Sequence, residues 1–420
     1  MSHTAISSVI VKGGKRSLAA GIFLLIEAAA IFLLLTGTSG MVSTFTLSSQ
    51  RTGVEIVAPD LVIPTWAAIL VVGIMIALAA LWQLVKGFKR TNNVLVTMIA
   101  LGILALLVWA DRGKSMNLTG MLTSSVILST PIALAALCGI FSERSGVVNI
   151  GIEGMMLMGA FIATVVASVT HNVYIGFLGG ILGGMLLGWL HAVLSIRYRV
   201  NQIVSGTGII ILSLGLTSFI YRAFVDKNPV LNSPGNPLAV VPIPFLWRIP
   251  VIGPILFNQS PVIYLMFCLL IITHIFFYYT KWGLRIRSVG ENPKAADTLG
   301  INVFTLRYIS VLISGGIAGL AGSYMSIGVL GRFNEGMSAG KGFLGLAAMI
   351  FGNWNPGGAF LGALIFGFFD SWQDKLAMLQ IGIPSEFLGM APYIATMIIL
   401  SGFIGRSRMP AADGTPYSKE

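Results

Sequence analysis

One pattern repeats along this chain and constrains everything else: apolar runs with at most one charged residue, close to the roughly 20 residues a helix needs to cross about 30 Å of hydrocarbon. They lie at 18–36, 65–85, 93–110, 119–141, 153–170, 175–196, 203–221, 260–280, 304–330, 342–354, 356–373 and 387–404. Several are short or broken by glycine, so about 10–12 true spans are expected. In lipid a segment must satisfy its own backbone hydrogen bonds, which a helix does and an open strand does not. The runs lack the polar–apolar alternation of a membrane barrel. The expected fold is therefore all-α, a polytopic transmembrane helix bundle in the cell membrane.

Composition agrees. Of 420 residues, 55% are hydrophobic and 10% charged, with mean hydropathy +0.88. A soluble domain carries about 25% charged residues to cover its surface, so lipid must replace water around this one. The formal net charge of +11 comes from Lys and Arg scattered between apolar runs, with no basic stripe interleaved with aromatics. Anionic headgroups and the positive-inside rule account for that, and no nucleic-acid partner is expected. If every run crosses, the larger share of the Lys and Arg falls on the side of both termini, which are then cytoplasmic. The run at 18–36 follows Lys12, Lys15 and Arg16. It is too long for a typical signal core and lacks a clear A-x-A cleavage site, so it is read as a retained first span. Cys138 and Cys268 sit inside apolar runs without a CxxC partner and are read as small packed hydrophobes.

Glycine marks close helix contacts. Gly176, Gly180, Gly184 and Gly188 recur every four residues, and Gly315 with Gly319 and Gly358 with Gly362 repeat the spacing. Small residues at i and i+4 let backbones approach where lipid removes the hydrophobic drive to associate. Two outer loops stand out. Residues 37–64 are polar and poor in Lys and Arg. Residues 222–259 hold Pro229, Pro234, Pro237, Pro242, Pro244, Pro250 and Pro254, too many for a continuous helix. That second loop is either a plain connection or a docking surface for an external partner.

Enzyme signatures are lacking: no GxxxxGK[ST], HExxH or GxSxG occurs. No catalytic residue, metal or cofactor is expected. His3, His171, His191 and His274 are dispersed and read as structural. Glu27, midway along the first run, should face a neighbouring helix or water. Asp370 lies near the end of its run, within reach of the interface.

Three polar stretches interrupt the apolar pattern. The first, 142–154, reads SERSGVVNIGIEG. Unwound backbone at membrane depth is tolerated where it lines a cavity or is buried in protein. Asn149 and Glu153 either line a polar pathway or cap the next helix. The second, GRFNEGMSAGKG at 331–342, is either an outer loop or a place where Phe333 and Glu335 meet a base or sugar. The third, Asn201, Gln202, Ser205 and Thr207, opens the run at 203–221 and either joins the pathway or caps that helix. Between the runs at 260–280 and 304–330 lies a soluble stretch, KWGLRIRSVGENPKAADTLGINV. Residues 292–299 there read as a short helix, with Pro293 at its first position and Gly300 as its stop.

Three of these segments resemble the permeases of ribose-type and branched-chain amino acid-type ABC importers, in the nucleoside and simple-sugar branch. GENPKAADTLGI looks like the cytoplasmic coupling segment. SERSGVVNIGIEGMMLMGAF looks like a hallmark of the nucleoside branch, and FNEGMSAGKGFLGLAAMIFGNWNPGGAFLGALIFGF is similar to the carboxyl-terminal signature. The resemblance covers roughly 120–405. It implies a translocation path formed with a second permease subunit, usually a different chain, two cytoplasmic ABC ATPases and an external substrate-binding protein. Carried over, Gly290, Glu291, Asn292, Pro293, Ala295, Ala296, Gly300 and Ile301 contact an ATPase, while Asn149, Glu153, Asn201, Gln202, Phe333 and Glu335 lie along the path. The expected domains are an extension at 1–118 with about three spans and an outer loop, a permease core at 119–405 and a cytoplasmic tail at 406–420. The competing expectation is a secondary transporter that needs no ATPase, with Glu27 as its membrane carboxylate.

Overall fold

The computed structural model describes residues 3–49, 56–379, 387, 389–390 and 408–419, with side chains from Leu18 onward. It forms two compact units, Met1–Met121 with Gln373–Gly389, and Leu122–Trp372 with Met390–Glu420.

The first unit holds α1 (His3–Leu33), α2 (Thr65–Val85) and α3 (Thr91–Ala110). The polar stretch after α1 is not irregular. Strands β1 (Val42–Thr46), β2 (Leu61–Pro64) and β3 (Ser115–Asn117) form a sheet in the order β2-β1-β3, antiparallel then parallel. Ser43 ties that sheet to the helices: its hydroxyl donates to the Val108 carbonyl at 2.7 Å and lies 2.7 Å from the Thr65 hydroxyl. Glu27 faces α3, where a Cβ on Gly102 would collide with its carboxylate. The missing side chain at Gly102 is what leaves room for an ionisable group between two apolar helices.

The second unit is built from α4 (Leu118–Glu143), α5 (Ile152–Thr170), α6 (Val173–Ala192), α7 (Gln202–Ile220), α8 (Pro261–Tyr279), α9 (Lys281–Glu291), α10 (Pro293–Thr298), α11 (Val303–Ser323), α12 (Lys341–Phe351) and most of α13 (Pro356–Leu379). Wider π-type turns extend α6, α7 and α11 to Arg197, Val225 and Leu330. Among the described residues eight helices, α2 to α8 and α11, are long and apolar enough to cross a membrane. The run at 356–373 lies in α13, and the one at 387–404 falls outside the described residues.

The run at 342–354 departs from expectation. Its helix, α12, has 11 residues, and at 1.5 Å per residue it covers about 16 Å, half the hydrocarbon. It is a half-helix, preceded by non-helical backbone at 331–340.

α5, α6 and α11 pack with their backbones nearly touching. A Cβ on Gly159 of α5 would sit 2.6 Å from the Gly319 Cα of α11. On α6, one on Gly188 would sit 2.9 Å from the Val311 carbonyl, one on Gly176 2.6 Å from the Ala167 Cβ, and one on Gly184 would run into Gly315 and Gly319. Gly180 leaves space that the Ser323 hydroxyl and the Gly159 carbonyl occupy. Gly358 and Gly362 do the same between α13 and α12, at 2.7 Å from Gly352 Cα and 3.1 Å from Ala348 Cα. Side chains would hold these helices apart, and van der Waals contact between helices is what binds them in lipid.

The proline-rich loop 222–259 contains short tight turns and a two-residue antiparallel ladder, Val241–Pro242 with Asn258–Gln259. Phe245 at its tip is 87% exposed.

Candidate functional site

Between α4 and α5 the chain leaves the helix at 144–151, deep in the unit. Ser145 and Asn149 are fully buried there. A buried unpaired backbone group is costly, and a polar clasp answers that cost. The Val148 N–H donates to Gln202 Oε1 at 2.7 Å, and the Val148 carbonyl lies 2.9 Å from His191 Nε2. A carbonyl only accepts, so Nε2 carries the proton; Nδ1 then accepts from the Ser205 hydroxyl at 3.1 Å. Asn149 donates from Nδ2 to Ser314 Oγ on α11 at 3.0 Å, and Ser314 is in turn 2.9 Å from Cys138 Sγ on α4. His191 is thus a structural histidine, and Gln202 is a brace on the break.

The helix after the break is not capped by Asn149 or Glu153: its N-cap is Gly151, with no side-chain bond. Asn201 does cap, accepting from the Ile203 and Val204 N–H groups. Glu153 reaches further. Its carboxylate, 7% exposed, accepts from the Gly340 N–H at 2.8 Å and the Gly342 N–H at 2.7 Å. Those amides open α12, so a buried anion sits on the unpaired donors and positive dipole end of the half-helix.

The rest of 331–340 is anchored elsewhere. Phe333 is 1% exposed and packs edge-on to Phe161, ring centroids 5.1 Å apart, with Tyr221 at 5.7 Å. Its backbone N–H and C=O both bond to the Asn232 side chain in the 222–259 loop, at 2.7 and 3.1 Å. Glu335 pairs with Arg222 beyond the end of α7 at 3.0 Å, and that hydrogen bond holds its carboxyl below the usual range. The stretch therefore runs from Arg222 down to Glu153. At the other end of α12, Trp354 Nε1 donates to Glu143 at the end of α4 at 2.6 Å. A non-helical stretch thus leads into an 11-residue half-helix. This is the broken-helix geometry that membranes tolerate only inside protein or along a cavity. Asn149, Glu153, Gln202 and Phe333 are buried within this chain, and of the path candidates Asn201 and Glu335 are exposed.

The soluble stretch forms α9 and α10. α9 is amphipathic: Gly283, Ile286, Val289 and Gly290 are buried, and Trp282 and Leu284 are exposed. Asn292 caps α10 by accepting from the Ala295 N–H at 3.1 Å, Pro293 takes the first position, and Gly300 ends it at φ +79°. Glu291, Lys294, Ala295, Thr298, Leu299 and Gly300 are exposed. Ala296 and Gly290, expected to shape contact with an ATPase, face inward. Ala296 is 2% exposed, and a Cβ on Gly290 would strike the Arg144 carbonyl. Leu299, which the sequence reading passed over, is 81% exposed. Its neighbour in the motif, Ile301, is half-buried against the core.

Sequence reasoning also passed over Arg307 and Asp413. Arg307 is 1% exposed; its Nε donates to the Ser145 carbonyl at 3.2 Å and its Nη1 to the Thr415 carbonyl at 3.0 Å. Arginine in the second turn of an otherwise apolar run was the available signal.

A polytopic helix bundle with a half-helix at the core and a short helix projecting between two spans is the architecture of a membrane permease. Comparison with known proteins makes this specific. Residues 121–404 match the family of branched-chain amino acid transport system permease components, and the chain belongs to that family. It is 42% identical over 312 residues to the guanosine ABC transporter permease protein NupQ of Bacillus subtilis, covering 70% of this chain and 95% of the relative. It is 40% identical over 312 residues to the nucleoside ABC transporter permease protein NupC of Lactococcus lactis, covering 71% and 96%. Identity to the putative glucose ABC transporter permease protein TsgC13 of Haloferax volcanii is 33% over 326 residues, covering 72% and 98%. No solved structure matches. The chain is thus a multi-pass membrane permease subunit of an ATP-driven ABC importer, and the secondary-transporter alternative loses its support. The family match begins after α1 to α3.

Proposed function

We propose that this subunit carries a nucleoside, or failing that a simple sugar, across the cell membrane, driven by a partner ATPase that grips α10. The observation that carries the reading is Leu299, a large apolar side chain 81% exposed at the tip of a short helix between two spans. Such a side chain on a projecting knob suits a hydrophobic cleft on another protein. The relatives named for guanosine and nucleoside transport support the choice of solute. In this reading α10 and both termini are cytoplasmic, and the subunit pairs with a second permease of different sequence. An external binding protein settles on the 222–259 loop and selects the solute. The broken segments at 144–151 and 331–340 set the walls of the path, with Glu335 and Arg222 at its outer mouth. α1 to α3 form an added membrane module.

The test is Leu299→Asp in the complete transporter reconstituted in proteoliposomes. The side chain touches no core, so the subunit inserts and melts as wild type. Co-purification of the ATPase and uptake of labelled guanosine both fall at least tenfold. Full uptake with an undiminished ATPase complex would remove α10 from the coupling role.

A further inference from the structure

Segment 408–419 has no part in the proposed function, yet it is bonded to the ends of α9 and α12, to α10 and to α11. The Arg408 N–H donates to Asn353 Oδ1 at 2.8 Å, just past α12. The Ala411 N–H donates to Glu291 at 3.3 Å and the Ala412 N–H to the Gly290 carbonyl at 2.8 Å, both at the end of α9. Lys419 pairs with Asp297 of α10 at 3.4 Å. The Tyr417 ring lies 5.4 Å from Phe304 on α11.

The middle of the segment is buried. Asp413, 9% exposed, brings its carboxyl against that of Glu143, the residue at the end of α4 that also holds Trp354. Arg307 reaches the segment at Thr415 and the break at Ser145 with the same guanidinium. Next to Ser145, Gly146 stands at φ +86°, and a Cβ there would lie 2.7 Å from Arg307 Nη2.

We infer that 408–419 is a positioning strap: through Arg307 and Asp413 it binds the knob α10, the break at 144–151 and the lower end of half-helix α12 into one body. This rests on the reading of α10 as the ATPase contact. A push on α10 then reaches Glu291 and Asp297, passes through the strap to Arg307 and Glu143, and arrives at the break and at Trp354. Two carboxyls in contact require a shared proton. The groups facing Asp413 are Glu143 of α4, Arg307 of α11 and the Gly414 N–H; Tyr417 adjoins Arg307, and Arg144 flanks Glu143. Burial, the largest influence, pushes the Asp413 carboxyl up to about 7.

Hydrogen exchange on the full chain in nanodiscs tests the strap, comparing wild type with a deletion of 408–420, with Arg307→Met and with Asp413→Asn. The deletion and Arg307→Met speed exchange at 144–151 and 290–301 together by about tenfold or more, while amides in α5, α6 and α11 keep their rates. Asp413→Asn keeps a donor against Glu143 and stays at wild-type rates. In the reconstituted transporter the deletion raises the ATP spent per labelled guanosine imported at least fivefold, whereas simple loss of folded protein lowers both activities in proportion. Faster exchange in only one region, in neither, or throughout the bundle overturns the inference, as does an unchanged ATP-to-solute ratio. If wild type imports no guanosine, the solute assignment fails and the exchange result alone decides on the strap.

Discussion

Glu153→Gln isolates what the buried carboxylate does for the half-helix. Its two oxygens accept from Gly340 and Gly342 at 2.8 and 2.7 Å, and it is 7% exposed. A charge-assisted hydrogen bond contributes about 1.5–3 kcal/mol, and an orphaned buried donor costs about 1–3 kcal/mol. The amide keeps one acceptor oxygen and turns an N–H toward the other backbone N–H. The expected cost is about 2–3 kcal/mol, including part of the favourable dipole interaction. Glu153→Ala orphans both amides and costs about 3–5 kcal/mol, the range for breaking a buried charged contact from one side. The reporters are the bonded amides themselves. At about 1.4 kcal/mol per factor of ten, Glu153→Gln should speed exchange at 340 and 342 by about 30- to 100-fold. Exchange elsewhere in α5 should hold. If the two amides keep wild-type protection in Glu153→Gln, the carboxylate is not what secures α12, and its neighbours hold the half-helix alone.

The remaining predictions concern packing, backbone and pH. Gly184→Val forces apart α6 and α11 where the backbones touch; overpacking costs about 1–3 kcal/mol or more, so the purified subunit melts lower and elutes partly aggregated. Gly208→Ala, at a helical position with open space around it, should match wild type or gain up to about 1 kcal/mol. Gly300→Ala meets no neighbour but must adopt φ +79°, so it should lose about 1–2 kcal/mol of local stability, read as faster exchange in α10. The Asp413 carboxyl is raised to about 7 from an ordinary value of 3.8, so the docked strap holds its proton at pH values where the free segment has lost it. Stability is then full below the ordinary value and falls as pH rises through 7. Exchange at 411–415, corrected for intrinsic rate, should quicken between pH 6 and 8.5 in wild type and stay flat in Asp413→Asn.

What could be read in the sequence is what is encoded locally. Hydrophobic run length specifies a membrane helix without reference to any neighbour, and glycine every four residues specifies a face smooth enough for a second backbone. The short helix α10 announces itself within nine residues, through Asn292, Pro293 and Gly300. The broken span was half legible: GRFNEGMSAGKG is visibly not helical, but nothing in it says at what depth it lies. That depth is fixed by Glu153, 187 and 189 positions away from its two partner amides. The direction of Ala296 was hidden for a different reason. A small apolar residue on a one-turn helix reads the same whether it meets its own core or a partner.

The same separation of local and distant information explains how such a subunit can move. The α5–α6–α11 contact is backbone on backbone at Gly159, Gly184, Gly315 and Gly319, with little room for repacking, so those helices are expected to shift together. The segments that differ are those whose own hydrogen bonding is incomplete: 144–151, 331–340 and the start of α12. Each borrows its missing partners from side chains at long range, Gln202 and His191 for the first, Asn232 for the second and Glu153 for the third. A side-chain partner can be exchanged or rotated at a cost of a few kcal/mol, whereas a helix in lipid cannot lose its internal bonds so cheaply. In the proposed function, a conformational step falls on these breaks, and rigid packing on either side of them is what would carry a small displacement at α10 to the proposed wall of the path.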